Sequence, residues 1–191
     1  MDEIVKQALA KWPNVPHCYG WLNLDARGNW RMRDERAQHL NLPGDKLTNA
    51  ALVGFIVRNY DRDERGCWYF QNGPQRVYVN LEAAPFVCRT DPVHGYVLHT
   101  GAPLATIDEA WLTEDGHLVL RSGDVVAQLD DRDMAQAMAQ FVPEGDDALA
   151  AWMDGADLAL QLKTTQGSLP LQRLASADMP GKFQYQQTPN P

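Results

Sequence analysis

The side chains best suited to chemistry in this chain fall in one row near its middle. Between residues 75 and 82, Val77, Val79 and Leu81 alternate with Arg76, Tyr78, Asn80 and Glu82. A period of two predicts a strand that hides the apolar residues and presents the polar quartet on its other side. A helix expected just upstream carries Arg58, and an earlier strand sets Arg31 and Arg33 opposite Trp30 and Met32. Guanidinium groups match carboxylate and phosphate oxygens as two-pronged forks. Arg31, Arg33, Arg58, Arg76, Tyr78, Asn80 and Glu82 therefore form the candidate binding set, and a small anion is the expected ligand. The plainer alternative is a solvated sheet face with cross-strand ion pairs, which antiparallel sheets commonly show.

Other chemistries find little support. The three serines, Ser122, Ser168 and Ser176, sit in turns, and none occupies a Gly-x-Ser-x-Gly elbow. Cys67 and Cys88 lie in strand-like stretches beside Trp and Val, where burial would suppress the thiolate. Cys18 follows His17, but neighbours on a strand point to opposite faces. His17, His39, His94, His99 and His117 are scattered without metal-ligand spacing, so no metal is expected. Asp130-Asp131-Arg132-Asp133 stands where a helix should begin and reads as a cap. The run from Asp61 to Arg65 reads as a solvated loop of mixed sign. No glycine-rich phosphate loop is present, so no cofactor is expected. What survives of catalysis is an acid–base hydrolase pairing Glu82, or Asp130 and Asp131, with a histidine.

The charge balance bears on partners. The net charge of -8 and pI near 5.0 argue against nucleic acid, whose binding needs clustered cations. The first 95 residues hold 12 Lys and Arg against 11 Asp and Glu, and the rest hold 5 against 14. An anion site therefore belongs in the first half. Three cysteines without a Cys-x-x-Cys pair, and an N-terminus without an apolar leader, point to a reducing cytoplasmic location. No apolar run approaches the roughly 20 residues of a membrane span.

The elements that must position these residues make an α+β fold. It is mainly antiparallel hairpins and a meander in two similar repeated units, with four short-to-medium helices. Helices are expected at residues 2–12, 45–60, 131–142 and 146–153, the second capped by Asp45 or Thr48. Asn72-Gly73 marks a hairpin, with Pro74 arguing for a connection longer than two residues. The expected layout is an N-terminal α/β hairpin unit at 1–90, a C-terminal meander with helices at 91–175, and a Gln- and Pro-rich flexible tail at 176–191. A weak echo links Trp21-Leu22, Asp25, Gly28 and Met32-Arg33 to Trp111-Leu112, Asp115-Gly116 and Leu120-Arg121, with a two-residue insertion.

The run Arg65-Gly66-Cys67-Trp68-Tyr69, followed by Arg76-Val77-Tyr78-Val79-Asn80-Leu81-Glu82-Ala83-Ala84-Pro85-Phe86-Val87, resembles the bacterial domain of unknown function 1285. In that family a Gly- and aromatic-rich strand precedes a basic residue, alternating valines and Glu-Asp-Ala-Pro-Phe; here Ala83 replaces the Asp. Gly28-Asn29-Trp30 is similar to its Asp-Gly-x-Trp hairpin, and the segment Gly123, Ala127 and Leu129 to a later one. The likeness spans residues 25–142, and the C-terminal third fits a separate, related proteobacterial group. The resemblance implies a β-rich protein with a repeated motif and a signalling or ligand-sensing role. It carries over no catalytic residue.

The leading expectation is a non-enzymatic, anion-sensing or regulatory module. A protein-interaction or structural module is the second reading, the hydrolase the third, and a homodimer is an open alternative.

Overall fold

Two units divide the chain: Met1–Pro85 with Gln184–Pro191, and Phe86–Phe183. The sequence had placed the boundary at residue 90 and kept 176–191 apart from both. The computed structural model describes residues 1–104 and 106–191.

In unit 1, α1 (Glu3–Lys11) turns Val5 inward and ends before Pro13. β1 (Cys18–Leu24) and β2 (Trp30–Met32) form a hairpin around Gly28, and α2 (Glu35–His39) follows, capped by the Asp34 side chain. β3 (Asp45–Lys46) pairs with β2. α3 (Ala50–Arg58) starts five residues later than the sequence predicts, with Asn49 accepting from the Leu52 amide as its cap. Pairing of Asp45 with Met32 and of Lys46 with Arg31 removes 45–46 from the helix: sheet hydrogen bonds outweigh local helix propensity. β4 (Tyr60–Arg62), β5 (Trp68–Asn72) and β6 (Gln75–Leu81) complete a sheet in the order β3-β2-β1-β6-β5-β4. Asn72 pairs with Gln75, so the hairpin loop is the two residues Gly73-Pro74 rather than a longer one. Gly73 takes φ 57° at the first central position, and the fixed φ of Pro74 suits the second.

The alternation holds for Val79 and Leu81, whereas Val77 is only half-buried and Tyr78, on the face expected to be presented, is buried as well. Val79 and Leu81 stand level with Leu22 and Leu24 of β1, and all four are buried. On this face Phe55 of α3 meets Phe70 edge-on at 5.3 Å. Tyr60 lies between Trp30 and Trp68, its ring centroid 5.1 and 4.8 Å from theirs.

In unit 2, β7 (Phe86–Asp91) and β8 (Gly95–Leu98) form a hairpin, then β9 (Glu109–Thr113), β10 (Leu118–Ser122) and β11 (Val125–Leu129) form a meander. A 3-10 turn at Asp131–Asp133 leads into α4 (Met134–Met138), and the rest of the expected helix is instead β12 (Phe141–Val142). α5 (Asp146–Met153), β13 (Gln161–Thr164), β14 (Gly167–Leu174) and α6 (Met179–Phe183) follow. The sheet runs β12-β13-β14-β9-β10-β11-β7-β8. Leu112, Leu118, Leu120, Leu129, Leu162 and Trp152 are buried in its core.

The fold class is thus α+β with a repeat, though six α-helices are described rather than four. Both sheets are mixed, because β1–β6, β9–β14 and β7–β11 pair in parallel. The order β3-β2-β1-β6-β5-β4 recurs as β11-β10-β9-β14-β13-β12 with the same strand directions. The sequence echo is in register with this repeat at Gly28 and Met32-Arg33 and two residues out at Trp21-Leu22 and Asp25. The turns align Asp25 and Gly28 with Thr113 and Gly116, since the Gly28 and Gly116 amides donate to the Asp25 and Thr113 carbonyls. Asn23, not Trp21, then matches Trp111.

Residues 176–191, where the sequence suggested a flexible tail, hold a 3-10 turn and α6. The final stretch is joined to unit 1: the Gln186 amide donates to the Gly66 carbonyl at 3.0 Å, and the Leu81 amide to that of Gln187 at 2.8 Å. Tyr185 is buried and its hydroxyl donates to the Ala83 carbonyl at 2.9 Å. Among the described residues no helix is long and apolar enough to cross a membrane.

Candidate functional site

The site grows from a turn that occurs twice in unit 1. Asp-x-Arg-Gly stands at 25–28 and again at 63–66, and each Asp organises its turn in the same way. The Asp63 amide donates to the Cys67 carbonyl and the Gly66 amide to the Asp63 carbonyl, both at 3.0 Å. Asp63 Oδ1 accepts from the Arg65 and Cys67 amides at 3.0 and 2.9 Å. Gly66 adopts φ 78°, and a Cβ there would lie 2.3 Å from the Gln184 carbonyl oxygen, so glycine is required on two counts. Asp25 Oδ1 likewise accepts from the Arg27 and Asn29 amides.

What distinguishes the second turn is what Asp63 Oδ2 holds. It accepts from the Tyr78 hydroxyl at 3.0 Å and from Arg65 Nε at 3.3 Å. Tyr78 lies opposite Tyr69 across the β5–β6 ladder, its ring stacked on Tyr19 at 4.6 Å and edge-on to Tyr69 at 5.8 Å. The Arg76 guanidinium covers the Tyr69 ring at 4.4 Å, and that of Arg65 covers Tyr78 at 5.5 Å. Both contacts are cation–π geometries. His17 closes the group, edge-on to Tyr78 at 5.7 Å.

The protonation states follow from these partners. Burial alone would raise the Asp63 carboxyl, but the Cys67 amide, the Tyr78 hydroxyl and Arg65 hold it below the usual carboxylate range. Burial pushes the Tyr78 and Tyr69 hydroxyls up, aided by Asp63 at Tyr78 and first by Asp61 at Tyr69. Burial also pushes up the Cys67 thiol. At Arg76 burial works against the charge, and the Tyr78 hydroxyl and Tyr69 outweigh it. The cluster therefore presents charged arginines, neutral tyrosines and an ionised, saturated aspartate.

Of the seven residues picked from sequence, only Arg76 and Tyr78 meet here. Asn80 shares their face, level with Asn23, and its side-chain oxygen is buried without a hydrogen-bond partner. Glu82 is exposed and accepts from the Ala26 amide at 3.1 Å, capping the first turn. Arg31 is held by Asp25 at 2.7 Å and the Gly44 carbonyl. Arg33 is buried, donating to the Leu42 and Ala37 carbonyls and to Asn41. Arg58 pairs with Asp2 at 3.3 Å. These arginines tie down local backbone or a helix end, which explains their separation from the site. Sequence reasoning missed Asp63, Arg65, Tyr19 and Tyr69. The run taken for a solvated loop buries Asp63, and the repeated Asp-x-Arg-Gly was the signal that could have shown it.

Elsewhere the candidate acids and bases have local partners. Asp130 caps the 3-10 turn and is engaged by Arg132 and Arg89. His99 Nδ1 accepts from the Val87 amide at 3.2 Å, and burial pulls its pKa down to about 4. Among the described residues no three His, Cys, Asp or Glu side chains are grouped to hold a metal.

Comparison places this architecture among known proteins. A DUF1285 family protein from Silicibacter pomeroyi DSS-3 gives a TM-score of 0.52 at 14% sequence identity, covering 94% of this chain and 98% of that one. At that identity the likeness is one of fold, and it supports the resemblance seen around Glu82 to Phe86. A DUF1285 family protein from Shewanella baltica OS155 gives 0.40 at 16% identity, covering 59% and 85%. No curated protein matches the chain. The match that spans the chain, over residues 1–190, is to DUF2944, described as "Protein of unknown function (DUF2946)". The chain belongs to that family.

Proposed function

We propose that unit 1 is a non-enzymatic module that binds a small anion at Arg65 and Arg76, and that it acts in sensing or regulation. The observation that carries this reading is the state of Arg76. Its guanidinium lies over the Tyr69 ring at 4.4 Å, and the nearby Tyr78 hydroxyl and Tyr69 favour its charge against burial, yet it forms no ion pair with any carboxylate among the described residues. Asp63 is occupied by two amides, Tyr78 and Arg65, so it reaches Arg76 only through space and not as an ion-pair partner. The Tyr69 ring restrains the Arg76 guanidinium, while Asp63, the Asn190 carbonyl and the Tyr19 hydroxyl fix that of Arg65, and a pre-oriented cation loses less freedom on meeting a carboxylate or phosphate. Binding rather than catalysis is favoured because the cluster's thiol and hydroxyls are pushed up and its carboxylate down, away from the nucleophilic and basic forms. We assign the module to the cytoplasm, since Cys18, Cys67 and Cys88 are all free thiols.

Thermal unfolding with pyrophosphate or citrate as the probe tests this. Saturation at a hundred times Kd adds about 2.7 kcal/mol of stability, and so raises Tm by about 5–10 °C for a chain of this size. Arg76→Ala should abolish the rise, and 0.5 M NaCl should shrink it. An equal rise in Arg76→Ala, or none with either probe, refutes the assignment.

A further inference from the structure

A separate cavity lies wholly within unit 2. It measures about 330 Å³, within the range of small-molecule sites. Four stretches distant in sequence build its wall: the β7–β8 turn, the segment with Leu104 and Ile107, Gln140 beyond α4, and the β13–β14 turn. Tyr96 and Leu104 are buried and Ile107 half-buried, so part of the wall is apolar.

Opposite charges stand on this wall without meeting. Asp91 and Lys163 both line the cavity, and no ion pair joins either to any residue among those described. Asp91 Oδ1 is occupied by the Val93 and His94 amides at 2.9 and 2.8 Å. Those bonds, His94 first, hold the carboxyl below its ordinary range, and Oδ2 stays open. The Lys163 amide donates to the Gln140 carbonyl at 2.8 Å, which places the lysine beside Gln140. The Tyr96 hydroxyl donates to Gln140 Oε1 at 3.0 Å, leaving the amide NH2 as a free donor.

A ligand of one sign would satisfy one of these charges and face the other across the same small space. A zwitterion satisfies both. We infer that this cavity binds a free α-amino acid with an apolar side chain. The ligand carboxylate meets Lys163 and the Gln140 amide, its ammonium meets Asp91 Oδ2, and its side chain covers Tyr96, Leu104 and Ile107.

Calorimetric titration of the full chain with L-leucine tests the site, with 4-methylpentanoate, 3-methylbutylamine and glycine as probes lacking the ammonium, the carboxylate or the side chain. Leucine binds, and each of the three binds about tenfold or more weakly, the scale of one charge-assisted hydrogen bond. Asp91→Asn keeps the Oδ1 acceptor that holds the turn, and Lys163→Gln changes an exposed side chain. Both weaken leucine binding about tenfold or more while leaving the ligand-free Tm within 1–2 °C, roughly the effect of a surface substitution. Arg76→Ala leaves leucine binding unchanged, which separates this site from the anion site of unit 1. Absence of leucine binding overturns the inference. So does equal binding of 4-methylpentanoate, which would remove Asp91 from the recognition, or unaltered affinity in Lys163→Gln.

Discussion

Replacing Asp130 by Asn should cost unit 2 stability at neutral pH and nothing in strong acid. The Asp130 side chain is fully buried, with Oδ1 accepting from the Arg132 amide and Nε at 3.1 and 2.8 Å. Its other oxygen meets Arg132 Nη2, and Arg89 Nε lies 3.9 Å away. The Arg132 hydrogen bond is the main reason the carboxyl falls from 3.8 to about 2, against a smaller opposing effect of burial. At about 1.4 kcal/mol for each tenfold change in proton affinity, that displacement is worth about 2 kcal/mol. Both arginines are more than half exposed, so solvent screening reduces this to about 1–2 kcal/mol. The folded pKa lies below the unfolded one. The contribution is therefore complete above about pH 5 and fades as the pH falls through about 2. Urea unfolding of wild type and Asp130→Asn, followed by Trp fluorescence, should show a gap of that size at pH 7 that narrows steadily by pH 2.5. A gap that is the same at both pH values, or absent at pH 7, refutes the account.

Three further outcomes follow from unit 1 and the thiols. Gly66→Ala meets both a φ of 78° and the Gln184 carbonyl 2.3 Å from its new Cβ; it should destabilise by about 2 kcal/mol or more in urea, and a loss below about 0.5 kcal/mol, the scatter of surface changes, would mean the C-terminal stretch is not seated there. Asp61 lies opposite Tyr69 in the β4–β5 register and is exposed, so Asp61→Asn should tighten pyrophosphate binding about two- to fivefold, the scale of one exposed charge; weaker binding would contradict the electrostatics assigned to the cluster. Cys67 and Cys88 are buried, and burial pushes both thiols up. A thiol reagent at pH 8 should therefore label only Cys18 in the native protein, and labelling of Cys88 without unfolding would overturn that burial.

How far the fold could be read depends on which interactions are local. The parity of 75–82 was legible because a sheet with one buried face imposes a period of two, and Val79 and Leu81 obey it. The start of α3 was not. Asp45, Thr48 and Asn49 are all competent caps, and the choice fell to Asn49 because β2 takes residues 45–46 into a ladder. The binding row was legible only in part, for the same reason. A strand pattern shows which side chains share a face, and so it found Arg76 and Tyr78. It does not show what lies beside them, so Tyr69 and Tyr19, brought in by neighbouring strands, went unseen. Arg31 and Arg33 looked like free cations because their partners Asp25, Leu42 and Ala37 become neighbours only when the chain turns back on itself.

The repeat supplies an internal control on the tyrosine–arginine cluster. Aligning the turns at Gly28 and Gly116 and following the two ladders outward, Asn23 and Asn80 of unit 1 match Trp111 and Gln172 of unit 2. Continuing along β6 and β14, and across to β5 and β13, Tyr78, Tyr69 and Arg76 match Pro170, Gln161 and Ser168. Unit 2 builds the same strand order and directions without an aromatic ring or guanidinium at those three positions. Its Trp111 is instead covered by α6, with Phe183 edge-on at 4.9 Å and the Lys182 ammonium 5.0 Å from the ring. The backbone architecture therefore does not require an aromatic–cationic face, because one copy of it stands without one. A buried hydroxyl–carboxylate bond flanked by two guanidiniums carries a desolvation cost that ordinary packing avoids. Its presence in one repeat and absence from the other supports the anion-binding role proposed for unit 1.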